Sequence, residues 1–151
     1  MKKYELTSET KIVFGHVLYR IKALSSFGYV SAGDLGGFLE SEKNLSQNGN
    51  AWVSGNAEVY GNAEVYGNAE VSKIGSIFWI GAVGSRNDTA TFFRCTDGVI
   101  RVTCGCFFGN LDEFAKKVRK THGDNDHAKV YMLAIDMAKI RISTEKEKTE
   151  E

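Results

Sequence analysis

The sequence predicts a mainly β protein in which a short parallel β-helix follows an N-terminal β cap and precedes a C-terminal ββαα module. Three observations carry this reading. A hexapeptide, Gly-Asn-Ala-x-Val-x, runs in four gapless copies: Gly49 to Ser54, Gly55 to Tyr60, Gly61 to Tyr66 and Gly67 to Ser72. Strand-like alternation precedes it in residues 12–24, and alternation followed by helical periodicity succeeds it from Thr89 onward. A six-residue unit cannot bury its own apolar side, so its copies must stack on one another. The expected divisions are a β cap at 1–38, the repeat at 39–80, the ββαα module at 81–142 and a charged, disordered tail at 143–151.

In the N-terminal segment, Leu18, Arg20 and Lys22 alternate with Tyr19, Ile21 and Ala23, which reads as two strands bent at Gly15-His16. Gly33-Asp34-Leu35-Gly36-Gly37-Phe38 reads as a turn-rich approach whose glycines permit tight reversal, with Phe38 or Leu39 plugging the first open end of the repeat. A phosphate-cradling loop would need a strand before it and a helix after it, and neither pattern is evident.

Within the repeat, Ala51, Ala57, Ala63 and Ala69 fall two residues before Val53, Val59, Val65 and Val71, so alanine and valine share one face of a strand. The Gly-Asn pairs supply residues tolerant of positive φ, and hence sharp corners. Gly-Asn also suits a two-residue hairpin turn, which leaves a stack of short hairpins as a competing reading. The Val/Ala hexad resembles the left-handed β-helix family, in which three hexads make one triangular turn. That resemblance implies that residues 18 apart overlie, placing Val71 on Val53 and Ala69 on Ala51. Leu45 and Leu39 extend the alanine register backwards, so the left-handed β-helix would run from Leu39 to Val71, about two turns at most. A prism this short must have its ends and faces covered by flanking segments or by other subunits.

Beyond Ser72, the bulky run Ile74 to Val83 is expected to close the second end. Thr89 to Cys95 and Val99 to Cys106 read as strands joined across Thr96-Asp97-Gly98. Asn110 and Glu113 form a capping-box pattern, and Leu111, Phe114, Ala115 and Val118 form the apolar stripe of a helix that stops near His122-Gly123. A second helix starts at about Asp126, with Ala128, Met132, Ile135 and Ala138 or Met137 on one face.

Composition excludes several classes. Lys plus Arg and Asp plus Glu number 19 each, so no net field calls for nucleic acid or a membrane surface. The basic run Lys116, Lys117, Arg119 and Lys120 reads as a solvated helix face. No membrane-span-length apolar run and no secretory leader pattern is present, and three cysteines form no disulfide framework, so a cytoplasmic setting is expected.

Candidate contact residues come from several segments. Arg86 and Asn87 sit in the polar run Ser85 to Asp88, where an arginine fork suits a phosphate or carboxylate. Trp52, Tyr60 and Tyr66 would point outward if Ala and Val point in, and they suit burial in a homo-oligomer, of which a trimer is one form. His122 and Asp124 fall in the turn between the helices. Cys104, Cys106, His122 and His127 offer soft and imidazole ligands for zinc, but Cys-x-Cys is tight for such a site. Strand alternation would place both cysteines on one face as small apolar groups. No catalytic residue and no cofactor is assigned.

Several blocks together are similar to a group of small phage and prophage proteins. They include Tyr19-Arg20-Ile21-Lys22-Ala23-Leu24, Gly33 to Phe38 and Glu40-Ser41-Glu42 before the hexads. Ile80 to Asp88, Cys104-Gly105-Cys106 and Thr121 to Asn125 follow them. The resemblance implies a phage-encoded accessory protein acting in a bacterial host cytoplasm. Counter-defence fits that setting, either by engaging a host defence protein or by sequestering a small nucleotide-type ligand. The hexad also resembles trimeric acyltransferases, which use a histidine base beside a groove between long prisms. Here the prism is short and His16, His122 and His127 all lie outside it. A virion structural component is a third reading.

Overall fold

The computed structural model describes residues 2–142; the expected tail at 143–151 lies outside them. The chain divides into two compact units, Met1–Ile74 and Gly75–Glu151.

The first unit corrects the predicted fold class. Instead of a left-handed parallel β-helix, its principal sheet has four strands and is mixed, dominated by antiparallel pairing, beside a separate two-stranded parallel pair. β1 (Tyr4–Val13) and β2 (His16–Ala23) form a hairpin whose register closes at Val13 opposite His16. The turn lies one residue earlier than the bend the sequence suggests, with Phe14 (φ 50°) and Gly15 (φ 83°) both left-handed, the geometry that matches strand twist in a two-residue hairpin. β3 (Leu35–Leu39) is antiparallel to β2 and parallel to β5 (Glu58–Val59). β4 (Trp52–Val53) lies parallel to β6 (Glu70–Val71).

The hexads do stack locally, in ladders only two residues long, because each Gly-Asn corner consumes the residues between them. Val53 pairs with Val71 at the expected spacing of 18. Upstream the register differs: Leu39 pairs with Val59 and Leu45 bridges to Val65, so both leucines occupy valine positions rather than alanine positions. Two extra residues between Leu45 and Val53 absorb the offset. There Gln47 accepts hydrogen bonds from the backbone N–H groups of Lys3 (2.7 Å) and Tyr4 (3.2 Å), so the loop is held by β1 rather than by another hexad.

Ala51, Ala57, Ala63, Val53, Val59, Val65 and Val71 are fully buried and Ala69 nearly so, as the alternation requires. Gly36 and Gly37 are strand residues, not reversal points. A Cβ on Gly36 would lie 2.5 Å from the Val53 carbonyl oxygen, and one on Gly37 would lie 2.7 Å from that of Ala57. Their missing side chains let β3 press against the hexad backbone, which inserts β3 into the sheet instead of leaving it as an end plug. Buried Asn44 secures the next layer, donating from Nδ2 to the carbonyls of Gly61 (3.1 Å) and Ala63 (2.9 Å).

The second unit is a four-stranded antiparallel meander followed by two helices, ββββαα rather than ββαα. β7 (Ile77–Val83), β8 (Asp88–Arg94), β9 (Ile100–Cys104) and β10 (Phe107–Asn110) pair in chain order. The run expected to close the repeat is therefore the edge strand β7. Its consecutive Ile77, Phe78, Trp79 and Ile80 are β-branched or aromatic and fit a pleated strand as well as they fit an end cap. The Thr96-Asp97-Gly98 turn joins β8 and β9, with Cys95 donating to Val99 at 3.0 Å.

α1 (Leu111–His122) starts at the expected capping box: Glu113 N–H donates to Asn110 Oδ1 and Asn110 N–H donates to Glu113 Oε1, each at 2.8 Å. α2 (Asp126–Arg141) is capped by Asn125, whose Oδ1 accepts from Ala128 N–H at 3.0 Å. Phe114 and Val118 of α1, with Ala128, Tyr131, Ala134, Ile135 and Ala138 of α2, cover Ala90, Phe92 and Val102 of the sheet. The buried face of α2 thus centres on Tyr131 and Ala134, while Met137 is exposed.

Candidate functional site

The second unit holds a cavity of about 400 Å³ where the β7–β8 turn, the β9–β10 turn and one face of α1 meet Tyr131 of α2. Its polar rim is Ser85, Arg86, Asp88, Lys117, Thr121 and His122, and its walls include Phe107, Phe114, Val118 and Tyr131. Local structure explains the convergence. Asn87 adopts a left-handed φ of 55° and donates to the Gly84 carbonyl at 3.3 Å, so the chain reverses there and carries Arg86 and Asp88 to the rim. Gly84 lies where any Cβ would collide with the Tyr131 hydroxyl, which lets this turn close over the tyrosine. On α1, Phe114, Lys117, Val118, Thr121 and His122 follow the spacing of one helical face.

The aromatic wall is continuous. Phe107 and Phe114 have ring centroids 5.2 Å apart, Phe114 meets Tyr131 edge-on at 5.4 Å, and His122 stacks on Tyr131 at 5.8 Å with an interplanar angle of 25°. The Tyr131 hydroxyl approaches Cys104 Sγ at 3.9 Å. Burial raises the pKa of the Cys104 thiol, against the opposing effect of its contact with Tyr131, and burial raises that of Tyr131 as well. Both groups therefore stay protonated near neutral pH, and a neutral thiol is a poor nucleophile.

Of the residues singled out from the sequence, Arg86, Cys104, Cys106 and His122 come together around this cavity, while Asn87 shapes the turn without lining it. Asp124 lies instead along a groove between the two helices, beside Arg119 and Leu133. Among the described residues, no group of three or more His, Cys, Asp or Glu side chains is placed to hold a metal ion. The cysteines do not share a strand face: Cys104 ends β9, whereas Cys106 is exposed in the two-residue turn before β10. His127 lies beside His122, with ring centroids 5.3 Å apart and the planes tilted by 53°.

The repeat aromatics lie in the other unit and behave differently from one another. Trp52 is only 2% exposed, packed edge-on against Tyr4 (6.4 Å) and Phe27 (5.4 Å), so it serves the core of its own unit and not a subunit contact. Tyr60 lies against His16 at 4.8 Å, and Tyr66 is partly exposed, with its hydroxyl donating to Glu64 at 3.0 Å. His16 itself is held by Glu40 at 2.9 Å.

Sequence reasoning missed Lys117, Asp88 and Tyr131. Lys117 was legible, lying three residues from Phe114 and four and five from Thr121 and His122 on the same helical face; Tyr131 was passed over because the stripe read from the sequence ran through Ala128, Met132 and Ile135. No protein-family model matches the chain, and no curated protein matches it. No helix among the described residues is long and apolar enough to cross a membrane.

Proposed function

We propose that this is a non-enzymatic binding protein whose second unit takes a small anionic, ring-bearing ligand of nucleotide type. The observation that carries the reading is the cavity itself: Arg86 and Lys117 stand on the rim above walls of Phe107, Phe114 and Tyr131. A guanidinium and an ammonium offer paired recognition of a phosphate, and the aromatic walls offer faces for a planar base. The protonated Cys104 and Tyr131 suit hydrogen bonding rather than covalent chemistry. In the bacterial host cytoplasm that the phage-like sequence blocks imply, sequestering such a ligand would serve counter-defence. The acyltransferase alternative loses its basis with the prism, because two-residue ladders build no long groove.

Calorimetric titration with adenosine and guanosine monophosphates, their cyclic dinucleotides and inorganic phosphate tests the reading. Binding of at least one nucleotide more tightly than phosphate is expected, with Arg86→Ala and Lys117→Ala each weakening it about tenfold or more. Absence of binding at about millimolar nucleotide, or binding unchanged in both variants, refutes it.

A further inference from the structure

The cavity of the second unit holds one charged group that an anion cannot use. Asp88 opens β8, and the strand period of two puts it on the face of Ala90 and Phe92, toward the helices and the cavity. Val102 opposes Phe92 across β8 and β9, so Cys104, two residues further on, shares that face. Gly105 leaves the carboxylate room, since a Cβ there would lie 3.1 Å from Asp88 Oδ2. Burial is the chief cause of the raised pKa values of Cys104 and Tyr131, and the negative charge of Asp88 adds to it at both, in keeping with a carboxylate near the thiol and the phenol. Among the described residues, the Asp88 side chain makes no hydrogen bond and no ion pair.

The cavity thus combines two cations, Arg86 and Lys117, with one unpaired carboxylate. A phosphate held by the cations cannot also face Asp88, which only accepts hydrogen bonds and repels negative charge, so the donors that Asp88 needs must come from the ligand's ring or sugar. Tyr131 and Cys104, both protonated, can each donate beside it. The site offers two acceptor oxygens next to a donor. Among the common bases only guanine carries the complement along one edge: N1–H and the N2 amine are adjacent donors, and O6 is the acceptor beside them. Adenine and cytosine set a ring-nitrogen acceptor beside their single amine, and uracil flanks its one N–H with two carbonyls that a carboxylate repels. A ribose diol also presents two donors. Asp88, however, stands by Tyr131 in the aromatic wall that suits a planar ring, which favours the base over the sugar.

We infer that Asp88 makes the cavity selective for guanine nucleotides, accepting from guanine N1–H and N2–H while Tyr131 or Cys104 donates to O6. This rests on the nucleotide reading of the cavity and names its base.

Calorimetric titration of the full chain with guanosine, adenosine, inosine and 2′-deoxyguanosine monophosphates tests the assignment. Guanosine monophosphate should bind at least about thirtyfold more tightly than the adenosine form. It should bind at least about tenfold more tightly than the inosine form, which lacks only the N2 amine and leaves one carboxylate oxygen unmet. The 2′-deoxy form should bind within about threefold of guanosine monophosphate. Asp88→Asn, with circular dichroism unchanged, should bind xanthosine monophosphate at least about tenfold more tightly than guanosine monophosphate. Its Oδ1 still accepts from N1–H, while its Nδ2 donates to the carbonyl that replaces the N2 amine; a purely structural role for Asp88 would give no such reversal. Adenosine or inosine monophosphate binding as tightly as the guanosine form, a loss confined to the deoxy form, or Asp88→Asn without the reversal would overturn the guanine assignment and leave the nucleotide reading standing. Absence of any nucleotide binding by the wild type would overturn both.

Discussion

Replacing Gly36 with alanine probes the close approach that organises the first unit. The added methyl would meet the Val53 carbonyl oxygen at 2.5 Å, Ile21 Cγ1 at 2.6 Å and Trp52 Cζ2 at 2.7 Å. All three contacts lie well inside normal van der Waals separation, one is with backbone, and the side chains of Ile21 and Trp52 are themselves buried. Gly36 also has its carbonyl held by Arg20 Nη1 at 2.6 Å, which limits how far β3 can retreat. Overpacking a rigid site costs about 1–3 kcal/mol, occasionally more, and contact on three sides places this case near 3 kcal/mol. With a urea m-value of about 1.5 kcal/mol/M, the midpoint should fall by about 2 M. Urea unfolding followed by Trp52 fluorescence in a Trp79→Phe background measures it. Gly61→Ala is the control: it has open space around the new methyl and a φ of 64°, so it should cost only about 1 kcal/mol of backbone strain. A Gly36→Ala midpoint no lower than that of Gly61→Ala would refute the argument that β3 packs on the hexad backbone.

Lys3 is 5% exposed, with Nζ donating to the Ala51 carbonyl at 2.7 Å, and burial lowers its pKa from 10.5 to about 8. The unfolded chain binds the proton more tightly, so stability should rise with pH through this window, by about 2 kcal/mol between pH 7.5 and 9.5. Denaturation of both chains at the two pH values should show the stability difference between the wild type and Lys3→Met shifting by this amount in favour of the wild type; Cys95 and Cys104, whose pKa values burial raises, oppose the trend equally in both chains, as does Tyr4 above about pH 10. Asn44→Ala strands the Gly61 and Ala63 carbonyls and should cost about 3 kcal/mol by thermal unfolding. Asn110→Ala removes the α1 cap and should cost about 1 kcal/mol, read from α-helical circular dichroism on heating. Phe114→Ala should cost about 3–5 kcal/mol and also weaken nucleotide binding, because the same ring lies in the core and in the cavity wall.

What the residues determined alone was local. Alternation in the hexads placed alanine and valine inward because successive strand side chains point to opposite faces. Asn110 with Glu113 marked the start of α1, and Thr96-Asp97-Gly98 marked a hairpin, because caps and turns are settled by groups only a few residues apart.

Tertiary structure decided the long-range pairings. Leu39 opposes Val59 because Gly36 and Gly37 admit β3 against the hexad backbone, a contact no periodicity encodes. Trp52 alternates with inward residues and so reads as outward, yet Tyr4 and Phe27 cover it from distant segments. The candidate cavity likewise required the β7–β8 turn, the β9–β10 turn and α1 to meet around Tyr131. Hydrophobic patterning states which face of each element must be covered. It does not state by what, because burial is non-directional and only the packed chain selects the partner.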